Sequence, residues 1–328
     1  MLPFLIRRVA AGIWVLCAVM TLVFVLLYQV GDPAAATLGP KAHPEQLQSF
    51  RRQYGLDLPL WQQYLGYVGL TSCIRRQSPH FKKGEPCGLL QGNLGESFRQ
   101  NIPVAQVLFD RLPRTLLLGI IAMIIELILG VSLGVIAAIK RYTWVDTSIM
   151  SLAFLALSVP SFVIGLFVLD FFAFRLGWFP VGGYGLGSMD HIYHALLPAL
   201  TLALLGAATY VRMMRSDMVE VMDEVYVVAA RARGASRWRA WGVHALRNAL
   251  LPLVTLVGLQ LSSLVSGAVI TESIFAWPGV GRLAVESIYN LDAPMVMAIV
   301  LLASLAVQVG NMLADIAIAM LDPRVRLA

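Results

Sequence analysis

Four acidic residues stand within or beside long apolar stretches of this sequence, where an ionisable side chain needs an explanation. They are Glu126, Asp170, Glu272 and Asp315. A charged group surrounded by lipid is costly, so such residues normally line a solute path, relay protons or pair between helices. Glu126 lies near the middle of its stretch and is predicted to face a pore or to pair with another helix. Asp170 and Asp315 lie near the ends of theirs, where water or helix termini can satisfy them.

The sequence carries no recognisable catalytic motif. It has no G-x-x-x-x-G-K-[ST] phosphate loop, no H-E-x-x-H and no G-x-S-x-G, so we predict that this chain hydrolyses neither ATP, peptide nor ester. Gly279-Val280-Gly281 lacks the rest of a nucleotide fingerprint and is predicted to be a turn. Neither C-x-x-C nor a Cys/His cluster is present, and we therefore expect no metal, no cofactor and no catalytic residue.

The composition indicates what kind of element must position these residues. The chain has 328 residues, of which 58% are hydrophobic and 13% charged, whereas a soluble domain has roughly 25% charged residues. Its mean hydropathy is +0.74. The sequence therefore predicts a membrane protein. The net charge of +6 is spread between apolar stretches, which argues against a nucleic-acid partner because such a partner needs clustered basic residues.

Six stretches are long enough, or nearly so, to cross a bilayer as helices, which takes about 20 apolar residues. They are residues 9–30, 116–139, 147–169 with an extension to 174, 195–211, 249–271 and 293–314. The fold class predicted is an all-α membrane protein with six transmembrane helices. The fourth stretch is the shortest. The first could instead be a cleaved signal peptide, but it is longer than the usual apolar core of 7–15 residues, which favours a retained anchor.

Basic residues fix the predicted orientation, because short cytoplasmic loops carry an excess of Lys and Arg. With the amino terminus in the cytoplasm, the two short outside loops carry only Arg175 and Arg282. The inside segments then carry Arg7, Arg8, Lys140, Arg141, Arg212, Arg215, Arg231, Arg233, Arg237, Arg239, Arg247, Arg324 and Arg326. Both chain ends are therefore predicted to be cytoplasmic.

A sizeable extracytoplasmic segment, residues 31–112, is predicted between the first two helices. Residues 44–54 have a helical pattern, Asp57-Leu58-Pro59 is typical of a turn, and residues 61–70 resemble an amphipathic helix at the membrane surface. Cys73 and Cys87 would face an oxidising compartment. Pairing them would close a loop of about 15 residues, worth about 3 kcal/mol in the chain-entropy model; two free thiols in a surface loop are the alternative.

The inside loop at residues 216–248 is longer than a simple connection needs. It contains two short helical patterns on either side of Gly234, a residue type that permits a chain reversal. Tyr226, Ala229 and Ala230 occupy neighbouring positions at helical spacing, and they predict one face that a partner groove could accept. The alternative is that these helices merely lie on the membrane surface.

This loop resembles the cytoplasmic loop motif of ATP-binding-cassette importer permeases, which runs Glu-Ala-Ala, three residues, Gly, and then an apolar residue followed by Pro. Ala229, Ala230, Gly234 and Leu251-Pro252 match it, and Val228 replaces the glutamate. Most of the chain is similar to the dipeptide/oligopeptide/nickel branch of this family. The further matches are Ile6-Arg7-Arg8, Gly31-Asp32-Pro33, residues 54–59 and 61–64, Asn93-Leu94-Gly95-Glu96-Ser97, residues 244–252, residues 272–281, and Asp322-Pro323-Arg324.

The resemblance implies partners and roles. It implies a second homologous permease subunit, two cytoplasmic ATPase domains that bind ATP and magnesium, an extracytoplasmic substrate-binding protein and a bacterial cytoplasmic membrane. It also implies that the loop forms a coupling helix docked on an ATPase, with Glu224, Tyr226, Ala229, Ala230, Arg231, Arg233 and Gly234 in the docking region. By analogy, polar residues of the fifth span and the following loop could meet the solute, or could serve helix packing; they are Gln260, Ser262, Ser263, Ser266 and Glu272.

The predicted function is therefore the pore-forming subunit of an ATP-driven importer, with dipeptides or oligopeptides as the expected cargo. Import of nickel, opines or another solute is the first alternative. An ATP-independent secondary transporter is the second, and it would show internal repeats and broken helices, neither of which the sequence displays. The predicted domains are 1–30, the extracytoplasmic segment 31–112, a five-helix permease core 113–320 that includes the coupling loop 216–248, and a cytoplasmic tail 321–328.

Overall fold

The computed structural model describes residues 2–39, 41–71, 88–266 and 269–321. Its amino-terminal part consists of α1 (Leu2–Val30), α2 (Pro33–Leu38), α3 (Pro44–Tyr54) and α4 (Leu60–Val68), followed by a 3-10 turn at Leu89–Gln91. The two helices predicted at residues 44–54 and 61–70 are thus present. Cys73 and Cys87 lie outside the described residues, and their pairing stays a prediction.

Local sequence explains where these short helices begin and end. The Asp32 side chain accepts a hydrogen bond from the Ala34 N–H at 3.1 Å and caps α2. Pro44 occupies the first turn of α3, where its missing N–H costs nothing. Gly55, with φ of 66°, ends α3, because the left-handed conformation is readily adopted by glycine. The turn predicted at residues 57–59 follows directly.

The remaining helices follow in chain order. They are α5 (Val104–Ile139), α6 (Trp144–Ser158), α7 (Ser161–Val168) continued by a π-helical segment at Leu169–Arg175, α8 (Ser188–Met222), α9 (Val225–Ala232), α10 (Arg237–Arg239) continued by a π-helical segment at Ala240–Ala245, α11 (Leu246–Ala249), α12 (Leu251–Ser266), α13 (Val269–Ile274), α14 (Val280–Tyr289) and α15 (Ala293–Leu321). No strand occurs in the described ranges, apart from one isolated bridge between Glu96 and Pro103.

Within the described ranges, five helical stretches are long and apolar enough to cross a membrane, or six if one bent pair counts as a span. The five are Arg7–Gln29, Val104–Ile139, Ser188–Met222, Arg237–Gly258 and Ala293–Leu313. This arrangement confirms the predicted all-α membrane fold. The fourth stretch, predicted at 195–211, belongs to the 35-residue helix α8 and is longer than the sequence suggested, because the helix continues through polar residues at both ends.

The third predicted span is not one continuous helix. Trp144–Ser158 and Ser161–Arg175 are bent by 107° relative to each other, so the prediction of an uninterrupted helix over 147–169 with an extension to 174 was wrong. Val159 has extended backbone angles, φ of −88° and ψ of 130°, as expected for a residue that precedes proline. Pro160 also lacks an N–H and cannot continue the helical ladder. The expectation of no broken helix fails at this point.

The chain divides into two compact units. The first comprises Met1–Pro113 and Arg282–Ala306, and the second comprises Arg114–Gly281 and Val307–Ala328. In the first unit, Asp292 is buried and accepts hydrogen bonds from the Ser97 hydroxyl and, at 3.1 Å, from the Phe98 N–H. An aromatic cluster of Phe50, Tyr54 and Phe98 packs beside them. Ser97 and Phe98 are thereby joined to a residue that follows them by 195 and 194 positions in the chain.

Candidate functional site

The loop predicted to dock a partner folds as a helical hairpin. Its first arm is α9, and its second arm runs from α10 to α11, residues 237–249. Helix α9 begins after Glu224, whose backbone is extended, and the chain reverses at Gly234, which has φ of 92°. Ser236 then caps the next helix by accepting from the Arg239 N–H at 3.4 Å. The Asn248 side-chain amide donates to the Tyr226 hydroxyl at 2.6 Å, so the two arms of the hairpin are joined. The predicted pair of helices around Gly234 is confirmed.

One face of this hairpin is buried and the other is exposed. Val227 packs with Ala240, Ala245 and Ala249 in a core cluster. Ala230 is also buried; the predicted face of Tyr226, Ala229 and Ala230 is therefore divided, because Ala230 faces the protein interior. The exposed side chains of the hairpin include Val225 and Trp238, whose exposed fractions are 80% and 78%, together with Val228 at 52%. Arg231 and Arg233 are exposed beside them.

Two ion pairs surround the start of the hairpin. The Arg141 guanidinium donates to the Asp223 carboxylate, with the shorter contact at 2.7 Å. The Arg215 guanidinium donates to both oxygens of Asp146, at 2.6 and 2.7 Å, and the Tyr142 N–H donates to the same carboxylate at 3.0 Å. The hydrogen bond from Arg141 lowers the pKa of Asp223 below its ordinary value. Both carboxylates are therefore held by the turn between α5 and α6.

A buried polar network joins three helices. The Gln260 side-chain amide of α12 donates to the Glu126 carboxylate of α5, and the Tyr210 hydroxyl of α8 donates to the Gln260 carbonyl oxygen. Glu126 is only 4% exposed. The structure therefore brings together two of the residues predicted to line a pore, in an arrangement that satisfies them between helices. Tyr210 was not predicted, because a tyrosine in an apolar stretch gives no signal of its partner.

Close packing of α5 against α8 surrounds this network. The glycines involved are Gly130 and Gly134 of α5 and Gly206 of α8. A Cβ added at Gly206 would overlap the Glu126 carboxylate, one at Gly130 would overlap the Cβ of Tyr210, and one at Gly134 would overlap Met214. Small residues allow two helix backbones to approach closely in a membrane. Each glycine is thus matched to one larger side chain of the facing helix.

Glu272 occupies a different site from Glu126 and is fully buried. The Thr115 hydroxyl donates to its carboxylate at 2.9 Å, and the Val280 N–H donates to the Thr115 oxygen at 2.8 Å. A Cβ added at Gly279 would collide with the carboxylate, and one at Gly281 would lie 2.9 Å from the Val269 Cα and 3.0 Å from the carboxylate. This contact explains the glycine spacing of the predicted turn at 279–281, although Val280 and Gly281 already belong to α14.

The other predicted site residues have mixed outcomes. The side chains of Ser262, Ser263 and Ser266 lie outside the described part of the chain, as does that of Asp315. Asp170 forms an exposed ion pair with Arg175 at 2.7 Å. Within the described ranges no three His, Cys, Asp or Glu side chains are grouped so that they could hold a metal ion. The Asp146–Arg215 pair was missed because its members are 69 residues apart and lie on separate helices.

Comparisons with known proteins agree with this architecture. Oligopeptide transport system permease protein AppB of Bacillus subtilis (strain 168) is 35% identical, over 99% of both chains. Glutathione transport system permease protein GsiC of Escherichia coli (strain K12) is 36% identical, again over 99% of both. A solved inward-facing structure of the MetNI methionine ABC transporter has a TM-score of 0.52 at 17% identity and covers 65% of this chain and 97% of that one. This last likeness concerns the fold alone.

Two family models cover almost the entire chain. The model for the inner membrane component of binding-protein-dependent transport systems matches residues 130–327, and the model for the amino-terminal part of such components matches residues 1–119. The first match includes the helical hairpin and its ion pairs, and the second includes residues 31–112. The chain therefore belongs to the family of binding-protein-dependent transport system inner membrane components.

Proposed function

We propose that this chain is one of two permease subunits in an ATP-driven importer of short peptides. The observation that carries the proposal is the exposure of three apolar side chains of the hairpin, Val225, Val228 and Trp238. Large exposed apolar side chains beside charged ones mark interaction surfaces. In a binding-protein-dependent system, the fitting occupant is a groove on a cytoplasmic ATPase. ATP and magnesium would bind to the ATPase subunits, since this chain has no phosphate loop.

The hairpin has the properties that a coupling element needs. Val227 of the first arm packs against Ala240 and Ala245 of the second arm. The hydrogen bond from Asn248 to Tyr226 also holds the two arms together. A force applied to the exposed face is therefore passed to both arms. Because the second arm continues through α11 into α12, movement of the hairpin reaches Gln260 and the buried network. The free energy that switches the permease between conformations comes from contacts of the hairpin with the ATPase, which differ between the two states of the ATPase.

The proposed orientation places both chain ends, the hairpin and the turn between α5 and α6 in the cytoplasm. Residues 140–144 support it, because they combine Lys140 and Arg141 with the exposed aromatic side chains of Tyr142 and Trp144. Basic and aromatic residues together are typical of a cytoplasmic membrane interface. Residues 31–112 would then lie on the outer side, where a substrate-binding protein delivers cargo, and the second permease would complete the pore.

Peptide cargo is proposed from the relatives. AppB is named for oligopeptides and GsiC for glutathione, itself a tripeptide derivative, and both match along nearly the full chain. Import of nickel or an opine by the same mechanism remains the alternative within the class.

Two of the pore candidates, Glu126 and Gln260, are hydrogen-bonded to each other between helices. We propose that this bond tunes the stability of one conformation of the permease. Ser263, another pore candidate, lies one turn of α12 beyond Gln260.

Reconstitution tests the proposal. The chain, its second permease and the ATPases are placed in vesicles, and uptake of labelled tri-alanine is measured with the substrate-binding protein outside. Uptake should require ATP and stop with vanadate. Val225→Glu should abolish it, because a charge in a docked apolar contact is left without a partner. Leu186→Glu, a similarly exposed apolar position distant in sequence from the hairpin, is the matched control and should transport normally.

One observation favours the second candidate, an ATP-independent secondary transporter. The bent pair Trp144–Ser158 and Ser161–Arg175 is a broken helix of the kind such proteins use. Its π-helical end contains the ion pair of Asp170 with Arg175, which is exposed. Gradient-driven uptake by the purified chain alone, insensitive to vanadate, would replace the importer proposal with this one.

A further inference from the structure

Two ion pairs connect one short turn to the end of α8, where the coupling hairpin begins. Arg141, two residues beyond the end of α5, binds Asp223, which directly follows α8. Asp146, in the first turn of α6, binds Arg215 within the last turns of α8. Glu224 and α9 follow Asp223 immediately. The turn between α5 and α6 is therefore attached to the chain at the point where the hairpin leaves α8.

The ion pair of Asp146 with Arg215, the inner pair, is a rigid connection between α6 and α8. The Asp146 side chain is 6% exposed and accepts from three donors: two nitrogens of Arg215 and the Tyr142 N–H. A bidentate arginine contact fixes both distance and orientation. Removing one partner would leave a charged group buried without compensation. Asp146 therefore fixes α6 and the preceding turn to α8.

The turn itself is held in an unfavourable conformation. Tyr142 has φ of 65°, a left-handed angle that costs a residue other than glycine conformational energy. Its N–H is directed at Asp146, and its side chain is exposed. The strained angle is compensated by that hydrogen bond, and it turns the neighbouring Arg141 towards Asp223. The two ion pairs thus depend on one backbone geometry.

The ion pair of Arg141 with Asp223, the outer pair, is more exposed than the inner pair. Arg141 and Asp223 are 35% and 63% exposed, and an exposed pair contributes little to folding stability. Its placement nevertheless fixes the residue before Glu224, so that α9 starts from an anchored position.

Resting on the proposed function, we propose that Arg141, Asp146, Arg215 and Asp223 are positioning residues for energy coupling. They join the hairpin, α8 and the turn between α5 and α6, so that a displacement of α9 by the ATPase moves α8 and α6 together. Without the outer pair, Asp223 is no longer attached to the turn between α5 and α6, so less of the displacement of α9 reaches that turn and α6. ATP hydrolysis then depends less on the state of the pore.

The test measures how strongly the cognate substrate-binding protein stimulates ATP hydrolysis by the reconstituted complex. Arg141→Asp and Asp223→Arg should each lower the stimulation about fivefold or more, as for a lost coupling between two sites, with basal hydrolysis unchanged. The double exchange restores the pair with reversed charges and should recover most of the stimulation. Asp170→Asn breaks another exposed ion pair, Asp170 with Arg175, and is the matched control.

Each outcome is decisive. Full stimulation in both single variants, or no recovery in the double exchange, overturns the inference and leaves the proposed function standing. No stimulation of the unaltered complex overturns the proposed function and the inference together. Asp146→Asn adds a second measurement, since thermal unfolding separates a destabilised complex from an intact complex that has lost coupling.

Discussion

Gly130 of α5 lies directly against Tyr210 of α8, so closely that a Cβ at position 130 would overlap the Cβ of the tyrosine. The contact holds the Tyr210 hydroxyl where it donates to Gln260. Tyr210 therefore takes part both in the close packing of α5 against α8 and in the hydrogen bond to Gln260. Substitution at either position should affect both.

Gly130→Ala should destabilise the protein by about 1–3 kcal/mol, the usual cost of adding a methyl group to a well-packed contact. The midpoint of thermal unfolding in detergent measures this. Gly242→Ala is the control, because a Cβ there meets no atom of the described residues within 4 Å and the residue has no positive φ. Equal midpoints for both variants would show that α5 and α8 do not pack as described.

Loss of the Glu126 carboxylate should destabilise the three-helix network. Glu126→Leu leaves the Gln260 amide without its buried acceptor, at a cost of about 1–3 kcal/mol. Tyr210→Phe removes one hydroxyl donor and should cost about 0.5–1.5 kcal/mol. Glu126→Gln keeps an acceptor of the same shape and should stay close to the unaltered protein. Unfolding in increasing denaturant gives the order, and a Glu126→Leu variant as stable as Glu126→Gln would contradict it.

Gly234 should be intolerant of substitution because of its backbone angle. A left-handed conformation costs a residue with a Cβ roughly 1–2 kcal/mol, and Gly234 has φ of 92° with open space around it. Gly234→Pro, whose ring fixes φ near −65°, should abolish the reversal and with it the coupled ATPase rate. The Gly242→Ala variant again serves as the control. An unchanged coupled rate after Gly234→Pro would exclude the hairpin as the coupling element.

The Arg141–Asp223 pair should be insensitive to pH across the neutral range. The pKa of Asp223 in the folded protein lies below its ordinary value of 3.8, chiefly because Arg141 donates a hydrogen bond to it. A carboxylate with a lowered pKa contributes stability above the unfolded pKa and loses it as pH falls through the folded one. The difference in unfolding midpoint between the unaltered protein and Asp223→Asn should therefore be constant from pH 5 to 8 and shrink only below about 3.8.

Apolar length and local capping signals were sufficient to predict the membrane class and most of the helices. Pro44 and Gly55 mark both ends of α3, and Gly234 marks the hairpin turn. These signals act within a few residues. Pro160 carried the same kind of signal for the break between α6 and α7, but the apolar residues on both sides suggested a single span. Helical periodicity alone also could not assign Ala230 to the interior.

Long-range pairs could not be predicted, since no residue signals a distant partner. Glu126 was recognised as unusual, and Gln260 was placed on a separate span, yet nothing in the sequence joined them across 134 positions. The same holds for Asp146 and Arg215. Glu272 was predicted either to meet the solute or to serve helix packing, and its contact with Gly279 becomes visible only when the turn is folded around the carboxylate.

The contact of Ser97 with Asp292 has a consequence for biosynthesis. Its two residues are 195 positions apart, and at about 5–20 residues per second the ribosome needs roughly 10–40 s to supply the second after the first. During that interval Ser97 and Phe98 lack the carboxylate that they bind in the finished protein. The amino-terminal unit is therefore completed late, after nearly all of the chain has been made, and a truncated chain ending before residue 292 would expose an unfinished surface to quality-control proteases.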